Sequence, residues 1–445
     1  MTFTQALLER YLAIRDLPPA ARAAVGIALA DGLAVMVAAS GLETAVEPMM
    51  GYAATCGPGP ATLIGEGRQV SAVMAALGNG ALAHAIDFED TFEEGKIHPN
   101  ASLIPAVLAL AESEGSDGTE VARALALGCD FSCRLSLALD GDPAQRGWYH
   151  PPILSGLGAT LGCCLLLSLD AEASCSALGL FAVQFMLADE LKRSPMSHLR
   201  AVREGLAARA AVEASLLARA GVVAVEQPLE GPSGVFRMLT GKPPRTEAFA
   251  DIGASFRGPE VGVKRWPSCR GTHSAIVAAE RLRKLGVAAS DVVDVTVAVS
   301  PPNDMLFVPR QQRISPRTPI DAKFSIPFVF ATALERGTVD LESFSAARLT
   351  SPAMQDLASR INIDSASPPR GVEAIYTIRT ASQAIVTETI ETVPVQSAGT
   401  ITPAELVSKL DACLAAGKRP VNTEDLLWAI ARLDSDGPGS IMRLL

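Results

Sequence analysis

The sequence predicts a mainly α protein. A large all-helical domain is built from both ends of the chain, residues 1–257 and 395–445, with a smaller α+β domain over residues 258–394. Three observations predict it. Up to about residue 257, alanine and leucine dominate at helical spacing and β-branched runs are short. Beyond 258, several short stretches alternate with period two. After Pro394 the helical spacing returns, so the last helices are expected to rejoin the first domain. The composition agrees: 49% of the 445 residues are hydrophobic and 19% charged, enough apolar surface for a large core and against disorder. The same surplus favours an oligomer interface.

Taken in order, the helical half breaks at Pro18-Pro19, at a Gly57-Pro58-Gly59-Pro60 turn and at Ser116-Asp117-Gly118. Apolar residues recur at helical spacing over 119–139 and 199–220. The most apolar stretch, 153–169, opens after Pro151-Pro152, contains three glycines and stops at Asp170. A buried core helix fits it better than a membrane span, which needs ~20 residues and interfacial anchors. Residues 293–299, 372–379 and 384–392 read as strands, with a helix after Pro319-Ile320-Asp321-Ala322-Lys323. Thr402-Pro403-Ala404-Glu405 is a capping-box helix start.

A formal net charge of −10 argues against nucleic acid or an anionic membrane as partner, since both need a basic face. The cysteines at 56, 129, 133, 163, 164, 175, 269 and 413 form no CxxC pair, so neither a disulfide framework nor a zinc or iron–sulfur site is expected. The first ten residues lack the basic and apolar regions of a signal peptide, and a cytoplasmic protein is expected.

Three polar clusters can carry chemistry. In the first, His84-Ala-Ile-Asp87-Phe-Glu89-Asp90-Thr91 precedes His98-Pro99. Asp87 and Thr91 are four apart, as on one helix face, and Pro99 suits a first helical turn, putting His98 at a helix start. An acidic helix end with a capping histidine is the plain alternative, and a metal site of Asp87, Glu89, Asp90 and His98 meets no ligand-spacing rule. In the second, Trp148-Tyr149-His150-Pro151 again places a histidine before proline at a helix entrance, as a functional or a structural group. Gly156, Gly158 and Gly162 downstream lack the preceding strand of a dinucleotide fingerprint and suit close helix packing. The third, from Lys264 through Cys269 and Arg270 to His273, lies at the domain junction, a favoured ligand position, and reads otherwise as a basic linker. No thiol-enzyme signature surrounds Cys269.

Together, Gly78-Asn79-Gly80, the His84–His98 cluster, Gly147-Trp148-Tyr149-His150-Pro151, the Lys264–His273 run and Thr318-Pro319-Ile320-Asp321-Ala322-Lys323 resemble the MmgE/PrpD family in order and spacing. Its members include 2-methylcitrate dehydratase, cis-aconitate decarboxylase and iminodisuccinate epimerase. The resemblance implies an all-helical domain with an α+β lid, a homodimer, and no metal or organic cofactor. It places Asp87, Thr91, His98, His150 and His273 in the pocket, with Lys264 nearby. One departure is visible: counting back from Gly205, Arg200 stands where the family often has lysine and Arg203 where it has histidine. Arginine keeps the charge but does not readily release a proton.

Such enzymes form a carbanion beside a carboxylate, which requires a base, an acid and cations. On this reading His98 and His150 are the acid/base pair and Asp87 fixes a histidine tautomer. Arg200, Lys264 and Arg270 bind carboxylates, Thr91 lines the pocket, and His273 completes it. A cofactor-independent hydro-lyase of a small di- or tricarboxylate leads. An epimerase, a decarboxylase and a non-catalytic binder are the alternatives.

Overall fold

The computed structural model describes residues 1–194, 196–300, 302–365 and 369–445. Its helical part is built on α1 (Phe3–Ala13), α2 (Pro19–Leu42), α3 (Ala72–Ala85), α4 (Pro99–Glu114), α5 (Gly118–Leu137), α6 (Pro151–Leu166), α7 (Ala171–Gln184) and α8 (Leu199–Arg219). Four of these eight start at a side-chain cap: Ser71 Oγ accepts from Met74 N at α3, and Asp117 accepts from Glu120 N at α5, with Thr2 and Asp170 doing the same at α1 and α7. All sixteen residues of α6 are buried, so this apolar stretch is a core helix. The 24-residue α2 is also apolar enough to cross a membrane, yet Asp31 at its middle is ion-paired inside the protein with Lys409.

Close packing of α3 on α8 explains two glycines. A Cβ on Gly80 would lie 2.7 Å from the Gly205 Cα, and one on Gly205 would collide with the Leu77 carbonyl. Only glycine lets the two backbones approach this closely, and the contact sets the start of α8 beside the end of α3. Asn79, between the motif's glycines, accepts from Ile64 N and donates to the Thr62 carbonyl, both at 2.9 Å.

Those two partners lie at a β-hairpin, β1 (Pro58–Leu63) with β2 (Arg68–Val70), which corrects the expected turn at residues 57–60. The prolines sit at the strand's first, bulged residues, where a missing donor is tolerated.

The chain enters and leaves the α+β part side by side: β3 (Gly262–Val263) pairs antiparallel with β8 (Gln396–Ser397). Between them a four-stranded sheet runs in the order β5 (Ile361–Ile363), β4 (Val292–Val299), β6 (Ala374–Thr380), β7 (Ile385–Ile390). Strand β4 is parallel to β5 and antiparallel to β6, with Val297 opposite Tyr376. Helix α9 (His273–Lys284) joins it through Ser274, which hydrogen-bonds Tyr376 at 3.0 Å. The helix expected near Pro319 forms as α10 (Pro319–Lys323), followed by α11 (Ile326–Arg336). The capping box at Thr402 starts α12 (Pro403–Ala415), which returns to pack on α2. One buried apolar cluster runs through both parts, including Leu7, Val295 and Leu445.

Candidate active site

Histidines 98 and 150 stand at the entrances of α4 and α6, each followed by a proline that needs no hydrogen-bond partner in the first turn. Both line one cavity of about 490 Å³, together with Asp87, Thr91, Tyr149 and Arg270. Five of the eight expected site residues therefore meet there.

The loop from α3 to α4 forms its charged wall. Helix α3 ends at Ala85, and Asp87 adopts φ of 52°, in the left-handed region. Asp87 and Thr91 thus share no helix face, contrary to expectation; Thr91 instead pairs with Gly262, each amide donating to the other's carbonyl at 2.8 Å. The fully buried Lys264 ammonium donates to the Asp87 carboxylate and, at 3.1 Å, to its carbonyl, and stands 3.6 Å from Glu89. Burial opposes the charge on Asp87, but Lys264 prevails and holds the carboxyl below its ordinary range.

The His98 ring directs Nδ1 at the Asp90 carbonyl, 2.7 Å away, with Glu89 Oε1 at 3.4 Å. A carbonyl only accepts, so Nδ1 carries the proton and Nε2 keeps its lone pair as a base. The tautomer is therefore set by Asp90 and Glu89, and the expected role of Asp87 is corrected to that of the Lys264 partner. Glu89 also binds His84 Nδ1. Burial, opposed by Glu89, pulls His98 down to about 4. Burial and then Lys192 pull His150 down to about 4. Both imidazoles are neutral at pH 7. Burial, and then Asp31, push Asp90 up to about 8, so its carboxyl keeps a proton at neutral pH.

Three expected contacts are placed elsewhere. His273 lies off the cavity: its Nε2 faces the Ser268 carbonyl at 3.2 Å and its ring meets Trp266 edge-on. Lys264 is spent on Asp87 and Glu89, behind the lining. Arg200 is 4% exposed and stacks on Phe324, 3.6 Å from the ring centre, so it stands behind a lining residue. Arg200 Nε and Nη1 are buried without hydrogen-bond partners among the described residues. Arg270 does line the cavity, but Glu93, Glu373 and the Val393 carbonyl take its donors, making it a latch between the two parts.

Other lining groups carried no signal strong enough to single them out. Tyr149 was visible only as a neighbour of His150; burial, against the pull of Arg203 and Arg200, keeps its phenol protonated. Lys192 ends a short 3-10 turn, Asp189–Lys192, and stands 5.0 Å over the Tyr149 ring, paired with Asp189 at 2.6 Å. Lys96 also reaches the cavity. Cys269 lines it too, but burial raises its thiol pKa, the wrong direction for a nucleophile.

His84, Asp87, Glu89 and His98 offer ligand atoms all within 4.8 Å of one another, the donor set a divalent cation would want. The Lys264 ammonium already stands against both carboxylates, so a metal would have to displace a buried, paired cation. The residues present fit an internal ammonium rather than a metal.

The N-terminal domain of the MmgE/PrpD family matches residues 10–248 and its C-terminal domain residues 266–417. The chain belongs to this family. It is 25% identical over 327 residues to a cis-aconitate decarboxylase of Aspergillus terreus, covering 68% of this chain and 66% of that protein. It is 24% identical over 304 residues to the human cis-aconitate decarboxylase, covering 65% and 61%. The match thus spans slightly under two thirds of these relatives' length.

Proposed function

We propose that this protein is a lyase acting on a small di- or tricarboxylate without a metal or organic cofactor, with decarboxylation of a cis-aconitate-like substrate as its reaction. The observation that carries the reading is the pair of neutral histidines, His98 and His150, facing one cavity large enough for such a molecule. The similarity to cis-aconitate decarboxylases supports loss of CO2 over loss of water. In that reaction the C–CO2 bond breaks, its electron pair delocalises towards a remaining carboxylate, and a proton is delivered to carbon.

The cavity's cations suit the anionic ends. Lys96 and Lys192 hold one carboxylate, and Arg200 lends its positive charge to the other from behind Phe324. A bound anion raises the pKa of a nearby imidazole, so substrate binding itself charges His150. His150 or the Tyr149 phenol then supplies the proton, while His98 Nε2 serves as base.

Dehydration of a 2-methylcitrate-like substrate is the second reading, favoured by the lone pair of His98, which suits proton abstraction beside a carboxylate. Epimerisation of an iminodisuccinate-like dicarboxylate would use the same pair. Incubation with cis-aconitate, 2-methylcitrate and iminodisuccinate in deuterated water separates them. CO2 release from cis-aconitate supports the leading reading. Unsaturated product without CO2 marks the dehydratase, and deuterium exchange without net loss marks the epimerase. Binding with no turnover on any of the three would overturn all of them.

A homodimer is proposed as well. Exposed Val183, Val222, Val223 and Val225 give it an apolar surface to bury. A monomer in light scattering at micromolar concentration would count against it.

A further inference from the structure

The loop bearing Asp87, Glu89, Asp90 and Thr91 has too little regular structure of its own to hold a left-handed, non-glycine residue. Asp87 at φ of 52° holds a conformation disfavoured for any residue but glycine, which persists only where its surroundings enforce it. Its backbone carbonyls are held instead by donors from outside this stretch. Lys264 Nζ reaches the Asp87 carbonyl, His98 Nδ1 the Asp90 carbonyl, and the Gly262 amide the Thr91 carbonyl. The Phe88 carbonyl, between them, accepts from Lys409 Nζ at 2.7 Å.

Lys409 lies in α12, 321 residues away from Phe88 in sequence. It is 9% exposed. Its ammonium also stands 3.9 Å from the Phe88 ring centre and pairs with Asp31 of α2 at 2.5 Å. One buried cation thus ties α12, α2 and the loop together. A salt bridge between α2 and α12 alone would not require the third contact, to the loop.

We infer that Lys409 is a positioning residue, which holds the Phe88 carbonyl and ring and thereby keeps Asp87 and Glu89 in register with Lys264 and His98. The geometry rests on no particular reaction; only its effect on turnover rests on the function proposed above. Asp31 has a different part. It balances the charge of Lys409 and opposes ionisation of Asp90 through its own charge, but among the described residues it makes no hydrogen bond to the loop, so the two residues are separable.

Hydrogen exchange measured by mass spectrometry on the full chain reads the loop whether or not a substrate is known. The Asp87 amide donates to the His84 carbonyl and the Thr91 amide to the Gly262 carbonyl, both at 2.8 Å, so both report loop opening. In Lys409→Met these two amides should exchange at least about 10-fold faster than in wild type, a local opening of the loop. Asp31→Asn, which keeps the lysine's bond to Phe88, should leave their exchange within about 2-fold of wild type. Because Lys409→Met leaves Asp31 buried without its cation, the double variant Asp31→Asn/Lys409→Met guards against simple misfolding. It should fold and still show the faster exchange. Where turnover is detected, Lys409→Met should lower kcat with KM little changed, and Lys409→Arg should restore part of it. Unchanged exchange in the folded double variant, or equal acceleration in Asp31→Asn, overturns the assignment. A protected loop in wild type that opens in Lys409→Met upholds it even if no substrate in the panel is turned over.

Discussion

The two cavity histidines share a local sequence rule and little else. Each precedes a proline and sits at the first turn of a buried helix. His98 belongs to a wall of paired, buried charges: Asp87 with Lys264, Glu89 with His84, and Asp90 behind. The wall around His150 is more open, with Lys192 and Asp142 as its charged neighbours. The lesson is that a helix start puts a side chain at a cavity, while long-range packing decides what that side chain can do. It also gives the walls different failure modes. A charge lost on the His98 side leaves its partner buried and unpaired, whereas a charge lost near His150 can be compensated by solvent.

Replacing the histidines should have the largest effect. His98→Gln should lower kcat/KM by ~10²–10⁴-fold and His150→Ala by at least ~10²-fold, the range for a lost general acid or base. The melting temperature of His150→Ala should stay close to wild type. A loss of several kcal/mol with activity per folded molecule intact would make His150 a core residue and leave the cavity a single active wall.

Next come the cations. Lys264→Met strands Asp87 and Glu89 and should cost about 3–5 kcal/mol in urea unfolding, the usual consequence of breaking a buried pair. Lys192→Met should cost no more than about 1 kcal/mol, because Asp189 keeps Arg193, and should mainly raise KM. Equal losses of stability would erase the distinction between the walls.

The histidines also set a pH dependence. His98 and His150 titrate near 4 and His273 near 3 in the folded protein, against ~6.5 when unfolded. The unfolded chain therefore binds more protons in that window. The stability from these groups is present above pH ~6.5 and is lost as pH falls towards 4. Asp90, near 8 when folded, works the other way: its contribution is full below ~4 and lost as pH rises through 8. The two kinds of group pull in opposite directions, so between pH 7 and pH 5 His150→Ala should make the urea midpoint less sensitive to acid than in wild type, and Asp90→Asn should make it more so. An unchanged sensitivity in His150→Ala would mean that its ring is not held neutral by burial. For the same reason the acid limb of kcat/KM should lie near pH 4, with the kcat limb higher because bound substrate favours charged imidazole.

The smallest effects test the reach of the cavity. Arg200→Met removes the charge behind Phe324 and should raise KM more than it lowers kcat, since a charge acting from a distance holds substrate and transition state alike. No change in either would leave Arg200 a packing group on Phe324. A chelator should change nothing; loss of activity restored by Mg²⁺ or Fe²⁺ would show that a metal, and not Lys264, completes the His98 wall.

Sequence alone determined the mainly α architecture, the strands at 293–299, 372–379 and 384–392 to within a few residues, the capping box at Thr402, and the placing of His98 and His150 at helix starts. These depend on periodicity, caps and prolines, which act over a few residues. The tertiary structure alone decided which charges face the cavity. Lys264 meets Asp87 across 177 residues, Arg270 is drawn to Glu373 across 103, and Lys409 reaches Phe88 across 321. No local pattern fixes such pairings: a buried charge takes whichever partner packing brings within a few ångströms, because leaving it unpaired costs more than almost any local preference provides.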